Sequence, residues 1–199
     1  EGSVASFITY TGQENMSNES FSDGIFPSGW SATTNAECDN PGWFITEDAS
    51  SSYFTIPSND GYYIATNDDA CGGSSDGSND IFYTNEISIP EGMIKLSFLR
   101  FFTAGFSQTF HVYVSVDNWE SYDEILNLDY SDGNTEWVKE SLDLNQYSGG
   151  SIAIAFHSND NGNWASGVAL DNIKIGVTPL WISSSSSGII QYQAIETFD

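Results

Sequence analysis

Positive charge is scarce in this sequence. Its 199 residues include 4 Lys+Arg against 28 Asp+Glu, a formal net charge of −24. A surface of that sign repels phosphate backbones and anionic headgroups, so neither nucleic acid nor a membrane is an expected partner. It attracts divalent cations, and it keeps a chain soluble by charge alone. Cysteine is scarce too: Cys38 and Cys71 are the 2 present. They lack CxxC spacing and a neighbouring histidine, which argues against a zinc or redox centre. In an exported protein they would form one disulfide, and in the cytosol two thiols. Scarce lysine with abundant Ser, Asn, Gly and aromatic residues favours export, to a secreted or cell-surface location. No leader-like segment and no apolar run of membrane length is present. The first residue is therefore expected to be a mature end or a point inside a longer polypeptide.

Helical signals are missing as well. No stretch combines a 3.6-residue apolar period with caps and length, and only Glu120–Leu126 fits a single turn. Catalytic constellations are equally hard to find. His111 and His157, the 2 histidines, sit in alternating strand-like runs with no nucleophile context, and no glycine-rich phosphate loop precedes a helix. Paired carboxylates carry no information in a chain with 28 acids. Catalysis is not expected.

What the sequence does have is short β-forming runs. Hydrophobic residues make up 39% and aromatic residues 15%, enough for a packed core. Strands are predicted at Pro41–Ile45, Tyr53–Ile56, Gly61–Thr66, Ile81–Ile89, Met93–Phe102, Phe110–Val116, Trp137–Leu144 and Ser151–Phe156, with Gly, Asn and Asp turns between them. Phe110–Val116 alternates cleanly: Phe110, Val112, Val114 and Val116 share one face, and His111, Tyr113 and Ser115 the other. Many short strands of this kind imply an all-β fold, an antiparallel two-sheet jelly-roll β-sandwich.

Residues 19–176 are read as that module. Residues 1–18 form an N-terminal extension or lead-in strand with one β-like run, Ala5–Tyr10. Residues 177–199 carry a serine run, Ser183–Ser187, that reads as a linker. Beyond it, Glu196-Thr-Phe-Asp199 echoes Glu19-Ser-Phe-Ser-Asp23. The tail is thus either the start of a next copy or a strand pairing with this domain or a neighbour.

The most unusual stretch is Trp164–Ile175, a loop running into a strand whose apolar residues are interrupted by Asp171 and Asn172. An Asp-Asn pair is unfavourable inside a strand. If buried, Asp171 needs a partner, because an unpaired carboxylate in an apolar setting costs several kcal/mol or more. A bound cation and a backbone turn both answer that need. The segment Asn67–Asp80 has the small and acidic composition of a calcium loop without its DxDxDG spacing.

The ordered set Glu19-Ser-Phe…Phe26-Pro-Ser-Gly-Trp30, Gly42-Trp43, Tyr63-Ile-Ala-Thr-Asn67, Asp80-Ile-Phe-Tyr-Thr-Asn-Glu-Ile-Ser-Ile-Pro90, Val112-Tyr-Val-Ser-Val-Asp117, Trp137…Leu142-Asp-Leu, Ile154-Ala-Phe and Leu170-Asp-Asn-Ile173 resembles the cleaved-adhesin family. This family is also known as the choice-of-anchor J domain and is similar in outline to MAM domains. The resemblance spans about residues 19–176. It implies a jelly-roll module of exported bacterial surface proteins, often in tandem, with structural calcium. Carried over residue by residue, it assigns metal-ligand roles to Glu19 and Asp171, and to Asn67, Asp68, Asp69 and Asp80 around the acidic loop. Carboxylates, an Asn amide and loop carbonyls supply the six to eight oxygens that calcium takes. The Cys38–Cys71 pair departs from the family pattern, and a disulfide there would pin the acidic loop to the loop before Trp43.

Exposed Trp and Tyr platforms stack on the apolar face of sugar rings, and Trp119 and Trp164 lie in loop-like sequence, whereas Trp30, Trp43 and Trp137 read as core. The leading expectation is a non-catalytic, calcium-stabilised adhesion module whose partner is a host or surface protein or a glycan. The alternatives are a carbohydrate-binding module of a secreted hydrolase and a self-assembling extracellular subunit that associates through its terminal strand.

Overall fold

Strict alternation along the chain produces the architecture of the computed structural model. The structure describes residues 15–38, 41–59, 61–72, 79–178, 181–184 and 190–193. The Ala5–Tyr10 run, Ser185–Ser187 and the Glu196–Asp199 echo lie outside the described residues. The strands are β1 (Asn15–Glu19), β2 (Ser31–Thr33), β3 (Phe44–Thr46), β4 (Tyr63–Thr66), β5 (Asn79–Tyr83), β6 (Ile87–Ser88) and β7 (Met93–Phe102). They continue with β8 (Thr109–Ser115), β9 (Asp123–Leu128), β10 (Val138–Asp143), β11 (Ser151–Asn159), β12 (Val168–Thr178), β13 (Trp181–Ser184) and β14 (Ile190–Gln193). A single helical turn, α1 (Asp68–Cys71), lies in the acidic loop, N-capped by the side chain of Asn67.

Two antiparallel sheets result, a β-sandwich as the alternation implies. The first runs β10-β7-β12-β4-β3 with β1 also on β12; the second runs β2-β5-β11-β8-β9 with β6 on β11. Strands β13 and β14 pair with each other, which places Ser183 and Ser184 in a strand. Between the sheets Phe82 stacks on Phe156 at 4.6 Å and Trp30 on Phe82 at 5.5 Å, and Phe98 meets Phe156 edge-on at 5.5 Å. Trp43 is buried among them and donates its indole N–H to the Asp80 carbonyl at 2.8 Å.

Two expectations change. Tyr53–Ile56 is not a strand; Phe54 and Ile56 are buried as a pad on the outer face of the first sheet, with Tyr63, Phe101 and Ala169. Apolar content marked the segment as buried, but tertiary packing decided how. Glu120–Leu126 is not a helical turn; its second half opens β9, an edge strand on β8 whose acidic exposed residues disguise it. Gly167 makes the pad possible. Its φ is +154°, and a Cβ there would stand 2.4 Å from the Thr66 carbonyl and 2.8 Å from the Phe54 ring.

The two cysteines form a disulfide, with Cα atoms 5.3 Å apart, tying α1 to the loop before Trp43. The bridge closes a loop of 33 residues, worth about 3.5 kcal/mol in the chain-entropy account. A Cys38→Ser/Cys71→Ser double variant is expected to melt roughly 10 °C lower than the oxidised protein. Calorimetry with and without reductant checks this, since reduced wild type should match the variant.

Candidate functional site

Strand β12 is paired on both edges, and its second edge is shared. Val168–Leu170 pair with Thr66–Ile64 of β4, and Ile173–Gly176 with Glu19–Asn15 of β1. The changeover falls on Asp171 and Asn172, where the register against β7 shifts and Asn172 takes a φ of +51°. The Asp-Asn interruption is therefore a β-bulge. Asp171 is 4% exposed. Its carboxylate accepts from Asn59 Nδ2 at 2.8 Å and from the backbone N–H and side-chain amide of Asn172 at 2.6 and 3.1 Å. Burial pushes this carboxyl above its ordinary value, the two Asn hydrogen bonds pull it back, and the like charge of Glu19 raises it further. Glu19, from the first strand, also accepts the Phe21 N–H at 2.6 Å. The fold thus brings Glu19 and Asp171 together.

The other acids carried over from the resemblance go elsewhere. Asn67 caps α1 and holds the Ala49 carbonyl, Asp68 accepts the Ala165 N–H at 2.5 Å, and Asp69 accepts Ser51 Oγ at 2.5 Å and the Tyr53 N–H at 2.9 Å. These three staple the 49–53 and 164–166 loops together. Asp80 lies in β5 and accepts the Thr34 hydroxyl at 2.5 Å. Among the described residues no three acidic, histidine or cysteine side chains converge in a metal-binding arrangement.

The two candidate tryptophans also part company. Trp164 is half-buried at a loop tip, edge-on to Tyr53 at 5.4 Å and to Phe106 at 4.3 Å, both of them highly exposed. Trp119 stands over the outer face of the second sheet, edge-on to Tyr83 at 5.1 Å. It lines a cleft of about 430 Å³ with Ser31, Tyr83, Asn85, Ser115 and Ala153.

Trp119 is held there at a cost. Asn118 and Trp119 have φ of +57° and +69°, a region that costs a bulky residue about 1 kcal/mol or more. A hydrogen-bond knot retains them. Ser115 Oγ donates to Asp117 and takes the Trp119 N–H at 2.9 Å, while Ser121 donates its N–H and hydroxyl to Asp117 at 2.9 and 2.6 Å. The Ser121 hydrogen bonds hold the Asp117 carboxyl below its ordinary value.

Beyond Tyr83 the same face carries residues that strand-by-strand reading does not connect. His157 of β11 lies opposite His111 of β8, with rings 5.4 Å apart, and Tyr113 stacks on His111 at 5.7 Å. Glu124 binds His111 Nδ1 at 2.6 Å, Asn79 binds His157 Nε2, and the Tyr113 hydroxyl lies 3.4 Å from His157 Nδ1. The alternation of β8 did announce His111 and Tyr113 as outward-facing. Their neighbours come from strands distant in sequence.

No family model matches the chain, and no curated protein matches it by sequence. Solved structures share its fold. The K3 cleaved adhesin domain of Lys-gingipain from Porphyromonas gingivalis W83 aligns with a TM-score of 0.59 at 19% identity, over 83% of this chain and 99% of that one. The K1 domain of the same protein gives 0.56 at 18%, over 81% and 96%. The structure of TmCBM61 in complex with beta-1,4-galactotriose gives 0.56 at 16%, over 81% and 97%. The resemblance read from the sequence and the observed sandwich thus meet in one fold.

Burial and the neighbouring His111 push His157 down from 6.5 to about 4, against a smaller opposing pull from Glu124. The folded protein therefore refuses a proton that the unfolded chain accepts between those values. Stability from this group is full above pH 6.5 and is lost as pH falls toward 4. Urea melts at pH 7 and pH 5 should show a smaller acid loss for His157→Gln than for wild type. An equal loss would mean His157 titrates normally.

Proposed function

We propose that this chain is a non-catalytic binding module of an exported bacterial surface protein, acting in adhesion to a glycan or a surface protein. The observation that carries this is the Trp119–Tyr83 cleft. A large aromatic residue is kept in a costly backbone conformation over an open recess, by hydrogen bonds that serve to hold it there. Strain retained at a surface aromatic is a mark of function. The fold shared with adhesin domains supports the adhesion reading. A second reading, a carbohydrate-binding module of a secreted hydrolase, is favoured by the aromatic and hydroxyl lining of the cleft. It is also favoured by the sandwich of TmCBM61, which was solved with a bound galactotriose.

Calcium is part of the proposal, held by Glu19 and Asp171 with the Asn59 amide and neighbouring carbonyls. The donor chemistry fits. Asp171 is a buried carboxylate whose described bonds come from neutral groups and which feels the like charge of Glu19. The Asn59 amide can present either its nitrogen or its oxygen to the site. A bound calcium would neutralise two carboxylates from the first and last strands of the sandwich. Its role is structural, since it would lock β1 to β12.

Two measurements test these statements. Immobilised protein probed with surface proteins and glycans should retain a partner that Trp119→Ala loses by about tenfold or more; equal retention by the variant would remove the cleft from function. Melting in excess chelator and then in millimolar calcium should raise the midpoint by several degrees, since a ligand at about a hundred times its dissociation constant adds roughly 2.7 kcal/mol. Asp171→Asn should abolish the rise. An unchanged wild-type midpoint would mean that the chain alone satisfies Asp171.

A further inference from the structure

The chain's 4 Lys+Arg are Lys95, Arg100, Lys139 and Lys174, and all lie in the first sheet, on β7, β10 and β12. Strand alternation divides them by face. Arg100 is in phase with the buried Leu96, Phe98 and Phe102, and it pairs with Glu140 at 2.6 Å. The lysines take the other face. Lys95 is in phase with Ser97 and Leu99 on β7, Lys139 lies opposite Leu99, and Lys174 lies opposite Ser97. A chain with 28 acids thus gathers every lysine on the outer face of one sheet.

The bulge in β12 gives that face a pocket. Leu99 pairs with Asp171 and Ser97 with Lys174, so Asn172 and Ile173 together oppose the single residue Phe98. Over this irregularity lies a depression of about 360 Å³. Ser97 and Leu99 floor it with the main chain of Phe98, whose ring is buried in the core. Lys139 stands on the β10 side, and Lys174, Asn172 and Asn18 stand on the β12 and β1 side. Two ammonium groups therefore flank one pocket, with two side-chain amides and a serine hydroxyl beside them. Lys139 and Lys174 each interact within the chain, but an ammonium carries three donors and one neighbour does not exhaust it.

A lining so rich in donors calls for a negatively charged acceptor. The net charge of −24 opposes anions in general, so distance decides which effect wins. At physiological ionic strength the screening length is about 8 Å; acids beyond it count for little, whereas the two lysines act at contact. The acids paired into this patch are Asp171, opposite Leu99, and Asp143, opposite Lys95. Asn59 and Asn172 hold the first, and Asn145 holds the second. A phosphate dianion would meet their repulsion with double charge. A carboxylate brings one charge and two oxygens to two point-charge donors, which need no planar fork to bind it.

We propose that this pocket is a carboxylate-binding site, with Lys139 and Lys174 as its cationic walls and Asn18, Asn172 and Ser97 as its neutral donors. It lies on the sheet opposite Trp119 and is independent of the reading of that cleft. The carboxylate belongs to a free organic acid or to an acidic side chain of a polypeptide partner, two sources of the same group.

The test is a titration of the 15N-labelled full chain, followed by NMR, with succinate, its neutral diamide, inorganic phosphate and poly-glutamate. Succinate should shift the amide signals of Asn18, Ser97, Lys139, Asn172 and Lys174 together and saturably, the diamide should not, and phosphate should bind more weakly. Lys139→Gln and Lys174→Gln should each weaken succinate by about tenfold or more with an unchanged melting midpoint, since neither side chain is buried. Trp119→Ala should bind succinate as wild type does. Poly-glutamate saturating the same residues assigns the carboxylate to a polypeptide, and succinate binding alone assigns it to a free acid. The site is overturned if neither carboxylate gives a saturable response at these residues, if the diamide matches succinate, if phosphate binds tighter, or if both lysine variants keep wild-type affinity.

Discussion

One strand carries the constraint on which the sandwich depends. Strand β12 must hydrogen-bond to β7 along one edge and to both β4 and β1 along the other. The backbone inserts an extra residue at Asp171–Asn172, where one edge passes from β4 to β1 and the register against β7 shifts. That bulge buries a carboxylate in the sheet's outer face. Removing the side chain would leave Asn59 and the Asn172 N–H without their acceptor, and keeping it requires charge compensation. The join between the first and last strands is therefore polar, in a fold otherwise closed by Phe and Ile side chains. The proposed calcium would act there as a structural fastener.

The two sheets differ in what covers them. Over the first lies the 49–57 pad, with Phe54 buried and Pro57 accepting the Trp137 indole N–H at 3.1 Å. Asp68 and Asp69 fasten that pad to the 164–166 loop, and the disulfide ties the helical turn between them to the neighbouring loop. Asp68 and Asp69, to which the resemblance assigns metal-ligand roles, accept hydrogen bonds here from backbone and hydroxyl donors. On the outer face of the second sheet Trp119 packs edge-on to Tyr83, and Ala155 is buried. The same face carries part-exposed aromatic and imidazole rings.

Much of this was legible in the sequence, and the failures are instructive. The sandwich, the outward face of His111 and Tyr113, and the burial of Trp43 followed from period-two alternation, which is local. The odd character of Asp171 was visible because a carboxylate inside an apolar strand breaks that alternation. Glu120–Leu126 misled because an edge strand facing water is free to be acidic, and Tyr53–Ile56 because a buried apolar run need not be hydrogen-bonded as a strand. The meeting of Trp119 with Tyr83 and of His111 with His157 was not legible at all, because it joins strands whose adjacency is fixed by sheet order rather than by spacing. Asn118 is a residue type that tolerates positive φ, but the positive φ of Trp119 has no residue-type signature.

The acidic composition and the placement of the few cations have a common electrostatic logic. A net charge of −24 opposes compaction by self-repulsion and deters anionic partners at long range. The chain offsets some of this by confining its four cations to one sheet, where Arg100 pairs with Glu140 at 2.6 Å. That segregation leaves the open face with acids and no fixed cation. Burial and the neighbouring His111 hold His157 down at about 4, so His157 itself adds no positive charge on mild acidification. A ligand that carried charge of either sign would have its affinity governed by salt and by the whole surface field. An uncharged one would be judged by stacking and hydrogen bonds alone.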